Sequence, residues 1–400
     1  MRTLLFVLPA LLSIAVIAGV PPALFASLAD LDRAIAEVEQ GGDPELFWAR
    51  VTASAPFPLV FGQTAVFFWR GAGKSVEWRG DLVGWEPSRA AQGRRIGSTD
   101  VWTWRHELLP RSRADYKIVV NGGTWLLDPA NPHQQVGGYG PNSEIRMPGW
   151  SAPENATRKA GVPRGTLGGD VAISSEKLGY AVNVRVYTPA GFDPAAAKRL
   201  PVLYVTDGSD YLNDDMGGAV VTLDNLIAGA TIPPVLAVFI DPWDRVANVN
   251  RRERELIPSP AACAFCDFIA GELVPMIDAR YPTLASPEHR AILGTSLGGL
   301  HATFMALRYP KTFALASVQS PALGVAPWVL DELEKSTVRP ARAFIDVGLY
   351  EEWCLPGARR LCDTLERRRT RVMHLEVPDG HSWGHWRATL DDAIAFLLAP

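Results

Sequence analysis

Two hydrophobic periods divide the chain. Residues 28–38 (Leu-Ala-Asp-Leu-Asp-Arg-Ala-Ile-Ala-Glu-Val) repeat apolar positions at helical spacing and predict an amphipathic helix. From about residue 57 to 147 the period changes to two. Residues 64–70, 75–79, 100–108 and 115–121 read as strands, with Asn121-Gly-Gly as a hairpin turn and Trp125-Leu-Leu as its return. Short strands at this spacing predict a β-sandwich over residues 28–150 together with the leading helix. Residues 151–169 are rich in Pro, Gly, Ser and Ala and have the composition of a linker. Beyond residue 170 apolar strands alternate with helices. Residues 184–188, 201–208, 235–241, 291–293, 314–318, 342–347 and 372–377 are such strands, and residues 265–281 and 297–308 read as helices. Alternating β and α elements mean a mainly parallel sheet covered on both faces, so residues 170–400 predict an α/β domain. Ligands of such sheets sit at the carboxyl ends of the strands.

Composition narrows this picture. The 400 residues suit two domains, and 48% hydrophobic with 20% charged residues is a globular composition. A net charge of −4 without a long basic run argues against a nucleic-acid partner. Residues 1–19 carry one arginine and then an apolar stretch ending near Val16-x-Ala18, which reads as a secretory signal peptide. The expected location is therefore periplasmic or secreted, with no stable membrane insertion after processing. Four cysteines form two local couples, Cys263/Cys266 and Cys354/Cys362, expected as two structural disulfides in an oxidising compartment, with three connectivities open. Neither couple is flanked by histidine, so no metal is expected, and no cofactor is called for.

The candidate chemistry centres on Gly294-Thr-Ser296-Leu-Gly298, set between an apolar strand and a helix. That context gives the pattern meaning: a serine on a turn too sharp for flanking side chains, its hydroxyl raised above the sheet. Leu297 at the helix start would offer a backbone N–H to an oxyanion. A second would come from Gly208 or Ser209, in the turn after the run Val-Leu-Tyr-Val-Thr-Asp. A serine needs a base and a carboxylate, in the order Ser, Asp or Glu, His. Of seven histidines, His381 lies in the turn directly after the last strand, where a base belongs, while His385 falls within the following helix. The acid should follow the 342–347 strand, where Glu351 and Glu352 are both placed to serve.

The segments around Val66-Phe-Phe-Trp-Arg, Asp100-Val-Trp, Tyr116-Lys-Ile-Val-Val-Asn and Trp125-Leu-Leu-Asp-Pro resemble immunoglobulin-like early-set domains related to glycogen-binding modules. The second half resembles the esterase D and enterochelin esterase family. The likeness rests on Leu203-Tyr-Val-Thr-Asp-Gly, Asp241 with Arg254-Glu-Leu, Glu272-Leu-Val-Pro-Met-Ile-Asp-Ala-Arg-Tyr-Pro, Gly294-Thr-Ser-Leu-Gly-Gly-Leu, Asp346-Val-Gly-x-x-Glu351 and Gly380-His381-Ser-Trp. The resemblance implies an α/β-hydrolase fold and a Ser296, Glu351, His381 triad, its Gly348-x-x-Glu351 spacing favouring Glu351 over Glu352. It also implies substrate contacts at Arg254 and Asp241. The expected activity is serine carboxylic-ester hydrolysis through an acyl-enzyme. The expected partner is a small-molecule ester, first a siderophore lactone, which the cationic loop of Arg251, Arg252 and Arg254 would attract. The alternatives are a carbohydrate ester (feruloyl or acetyl), acyl transfer, and non-catalytic binding.

Overall fold

The computed structural model describes residues 24–54, 57–195, 198–244 and 247–399. The signal-peptide expectation for residues 1–19 lies outside them.

The first half is two sheets and two helices. Helix Leu28–Glu39 is capped by Ser27 and helix Pro44–Ala53 by Asp43, each side chain accepting backbone N–H groups of the first turn. The strand Thr64–Arg70 explains the arrangement. Its Val66 and Phe68 face the helices, meeting Leu31, Ile35, Phe47 and Val51. Its Ala65 and Phe67 face the second sheet, meeting Trp78, Tyr116 and Ile118. Period two with both faces apolar thus makes one strand the middle layer of three. The second sheet is built on Val76–Gly80, Arg113–Val120 and the hairpin Gln134–Gly137 with Gly140–Arg146. The tryptophans at 78 and 102 fill the core rather than form a binding platform.

Residues 151–169 are bound down rather than loose. Asn225 Nδ2 donates to the carbonyls of Asn155 and Thr157, both at 2.8 Å, and Gly165 N donates to Asp224 at 2.8 Å.

The second half holds six parallel strands in the order Leu236–Asp241, Val202–Val205, Arg290–Thr295, Leu315–Gln319, Arg342–Gly348, Arg371–Val377. Strand Tyr180–Thr188 pairs antiparallel at the first edge. Every residue of Arg290–Thr295 is buried. Ile292 enters one core layer, and Ala291 and Leu293 the other, which is why the run is solidly apolar. The helical run 265–281 begins earlier than its sequence pattern suggests, as Pro260–Phe268, and passes through a π-helical stretch, Ile269–Leu273, into Val274–Arg280.

The disulfide expectation fails: all four cysteines are free thiols. Cys354 caps helix Leu355–Arg367, and Cys362 lies eight residues on. At about 1.5 Å rise per residue that separation is roughly 12 Å, beyond the ~7 Å a disulfide can span. Cys263 and Cys266 stand three apart on helix Pro260–Phe268. Such Cβ pairs lie about 5–6 Å apart, wider than the ~4 Å a bridge needs. Compartment predicted the pairing; helical geometry prevents it.

Candidate active site

The serine turn is set by its own backbone. Ser296 has φ 57° and ψ −116°, a left-handed-side conformation rarely tolerated outside glycine, and it directly precedes helix Leu297–Arg308. A Cβ at Gly294 would strike the carbonyl of Gly298 and the hydroxyl of Thr206, and one at Gly298 would meet that hydroxyl at 2.7 Å. Ser296 N donates to Gln319 O at 2.9 Å, and Ala322 N to Ser296 O at 3.0 Å, tying the turn to the next strand.

The other two groups come from loops at the carboxyl ends of adjacent strands. His381 Nδ1 lies 2.6 Å from Glu351 Oε2, and His381 Nε2 lies 2.8 Å from Ser296 Oγ. A carboxylate accepts only, so Nδ1 carries the proton and Nε2 is left to accept from the serine. The loops are laced to each other: Leu349 N donates to Val377 O at 2.7 Å and Tyr350 N to Asp379 O at 3.2 Å.

Glu351 and Glu352 part completely. Glu351 is 1% exposed, and its Oε1 accepts from Ser320 Oγ at 2.7 Å and Gly348 N at 2.8 Å. Glu352 points outward and pairs with Arg89 at 2.7 Å. Burial alone would push the Glu351 carboxyl up, but His381 and His385 outweigh it and hold the group well below the usual carboxylate range.

His385, placed on the last helix by sequence, belongs to this array. It is fully buried, with Nδ1 3.2 Å from both Glu351 Oε1 and the Gly380 carbonyl. Its Nε2 faces Asp346 Oδ2 at 3.7 Å. Burial opposes its charge, but Asp346 and Glu351 prevail and push it up to about 9. That direction favours the charged imidazole, seated between two carboxylates. His381 lies in the turn before Ser382, the N-cap of helix Trp383–Leu398, and His385 in the first turn of that helix, so helical spacing did not show that the two meet.

Leu297 is the first residue of its helix, and Gly208 and Ser209 open helix Gly208–Leu212 after Asp207 at φ 53°. The first N–H groups of a helix have no partner within it, so all three are uncommitted by helix geometry. Gly208, Ser209 and Asp241 line a cavity of about 260 Å³ with Asn183 and Arg185. Arg254, expected at the substrate, lies over the Tyr180 ring, 5.5 Å from its centroid. The arginine of that run which reaches the turn is Arg252, paired with Asp207 at 2.7 Å and donating to Thr295 O at 3.4 Å. Trp353, half exposed, sits 4.7 Å from the His381 ring.

A hydroxyl, an imidazole and a buried carboxylate in this order can generate a serine nucleophile. The esterase family model matches residues 175–397. The chain belongs to the esterase family. It is a carboxylic ester hydrolase of α/β-hydrolase fold with a β-rich domain in front. This esterase is 26% identical to the iron(III) salmochelin esterase of Escherichia coli O6:H1, over 76% of its chain and 78% of the relative. It is 24% identical to the iron(III) enterobactin esterase of Escherichia coli K12, over 84% and 91%. The enterobactin esterase from Shigella flexneri superposes with a TM-score of 0.67 at 22% identity, covering 84% of this esterase and 92% of that chain. A ferulic acid esterase from Anaeromyces mucronatus gives a TM-score of 0.50 at 18% identity and covers 61% of this esterase and 95% of that chain.

Proposed function

We propose that this esterase cleaves the ester bonds of a ferric catecholate siderophore of the enterobactin or salmochelin class. The observation that carries the reading is the extent of the likeness. Enterobactin esterase structures follow both halves of the chain over 84% of its length, whereas the ferulic acid esterase follows 61%. Arg254, over the Tyr180 ring, supplies positive charge that suits an anionic iron complex, while Arg251 and Arg252 are paired with Asp244 and Asp207.

Ser296 Oγ attacks the ester carbonyl as His381 Nε2 takes its proton. Glu351 fixes the imidazole and stabilises the imidazolium. The N–H of Leu297, with that of Ser209 or Gly208, receives the oxyanion. His381 returns the proton to the leaving serine hydroxyl of the lactone. Water, activated by the same imidazole, then releases the acyl group and restores Ser296. Arg254 and Asp241 contribute to substrate binding from the rim.

Hydrolysis of ferric enterobactin, feruloylated oligosaccharide and a short p-nitrophenyl ester by purified protein tests the reading. The expected result is kcat/KM for the siderophore at least about tenfold above that for the feruloyl ester, a gap of roughly 1.4 kcal/mol. The reverse order would transfer the assignment to a carbohydrate esterase. The enzyme works in the periplasm or outside the cell, on the strength of residues 1–19. A fusion of those residues to a phosphatase active only when exported checks this, and an inactive fusion contradicts it.

A further inference from the structure

We infer that the N-terminal β domain is a positioning part of the catalytic array, and that Arg113 is the residue through which it sets the loop carrying His381. Arg113 opens strand Arg113–Val120 of the β domain, yet its side chain is 1% exposed and its partners lie in both halves of the chain. Nε donates to Glu144 at 2.8 Å and Nη2 to Asp115 at 2.5 Å, both within the β domain. Nη1 donates to Asp379 at 2.9 Å and Ser382 Oγ at 2.7 Å, 266 and 269 positions away. Those two residues bracket His381. The backbone joins in: Arg113 N donates to Pro378 O at 3.1 Å.

Two glycines of the loop are shaped to this contact. A Cβ at Gly384 would collide with the Arg113 guanidinium, and one at Gly380 with the carboxyl of Asp81. Asp81 is itself held by Asp115 N at 2.8 Å and Trp85 Nε1 at 3.2 Å. Gly380 immediately precedes His381, so the β domain touches the chain on both sides of the imidazole.

The acid loop is held from the same domain. Tyr350, next to Glu351, places its hydroxyl 2.6 Å from Ser112 Oγ and accepts from Leu109 N at 3.0 Å. A planar guanidinium with five donors in fixed directions can impose an orientation that a lysine ammonium cannot. Burying this many charges is a poor route to stability. What the cluster supplies is a fixed position for the loop, which a base 2.8 Å from its serine requires.

The inference rests on the Ser296, His381, Glu351 reading but not on the siderophore, so a p-nitrophenyl ester serves as substrate. Arg113→Lys, Ser382→Ala and Ser296→Ala are compared with wild type by kcat, KM, thermal midpoint and the low-field proton resonance of His381 Nδ1–H. Expected for Arg113→Lys is a fall in kcat of about 10- to 100-fold with KM within about twofold, and loss or broadening of the low-field signal. Ser382→Ala removes one bond and leaves the salt cluster whole. It is expected to lower kcat about three- to tenfold with an unchanged midpoint, and it keeps the test alive if Arg113→Lys does not fold. A lowered midpoint with wild-type kcat and an intact low-field signal in the folded variants would show that Arg113 only joins the domains, overturning the inference. Retained activity in Ser296→Ala would instead sink the triad reading beneath it.

Discussion

The turn that carries Ser296 and the loop that carries His381 meet within 2.8 Å, yet they are held in place by different means. The serine turn is shaped chiefly by neighbours in sequence, two glycines with the strand before and the helix after, and is tied by its backbone to Gln319 and Ala322. The histidine loop is held by Arg113, Asp81 and Asp115 of another domain, and by Tyr350 in the adjoining loop. One is a local solution and the other a tertiary one. The difference sorts substitutions by reach: those at the turn act on the nucleophile alone, while those at the loop spread to acid, base and domain contact together.

The bluntest way to break the comparison is at the point both sides serve. Ser296→Ala should lower kcat/KM for a small ester by about 10⁴- to 10⁶-fold with the fold intact by circular dichroism. Glu351→Gln should cost about 10³- to 10⁴-fold by removing the acceptor that fixes the imidazole tautomer, whereas Glu352→Gln should stay within about twofold. Steady-state kinetics on the pair separates two neighbouring glutamates that differ in burial and in partners. Gly294→Ala tests the local side. Its Cβ has no room between Gly298 and Thr206, so a loss of about 1–3 kcal/mol in denaturant unfolding is expected.

His385→Gln tests the tertiary side through pH. The histidine's value rises from 6.5 unfolded to about 9 folded, so its charge stabilises the native state. That contribution is fully present below pH 6.5 and is lost as pH climbs through about 9. The stability gap between wild type and His385→Gln should therefore shrink across that window in parallel urea titrations; a constant gap contradicts it. Arg254→Ala should have the smallest effect, raising KM for an anionic ferric substrate by about threefold or less in a salt-dependent way.

What was legible in the sequence follows the same division. The serine turn could be read because glycine, serine and the flanking periodicities are local. The apolar patterns foretold the β-sandwich with its leading helix and the parallel sheet, while the middle position of strand Thr64–Arg70 came from the structure. Residue type and position after the strand left Glu351 and Glu352 both open, because a loop has no periodicity, and only the Gly348-x-x-Glu351 spacing of the family resemblance favoured Glu351. What distinguishes them is shelter by Ser320, Gly348 and His385, from three different segments. Arg113 left no mark on its own strand, since an arginine at a strand start is ordinarily solvated. Its trace was at the far end of the chain: Gly384 inside the first turn of helix Trp383–Leu398, where glycine costs about 1 kcal/mol against alanine, signals a close approach. The disulfide expectation went wrong for a related reason, because compartment and spacing say nothing of whether two thiols share a helix.

The central claim is that Ser296 is made nucleophilic by His381. Mass spectrometry of the intact protein after treatment with a fluorophosphonate, followed by peptide mapping, tests it most directly. The account predicts a single adduct on the peptide containing Ser296, and none in a folded His381→Ala variant over the same time. No adduct on the wild type, or one on another residue, would contradict it.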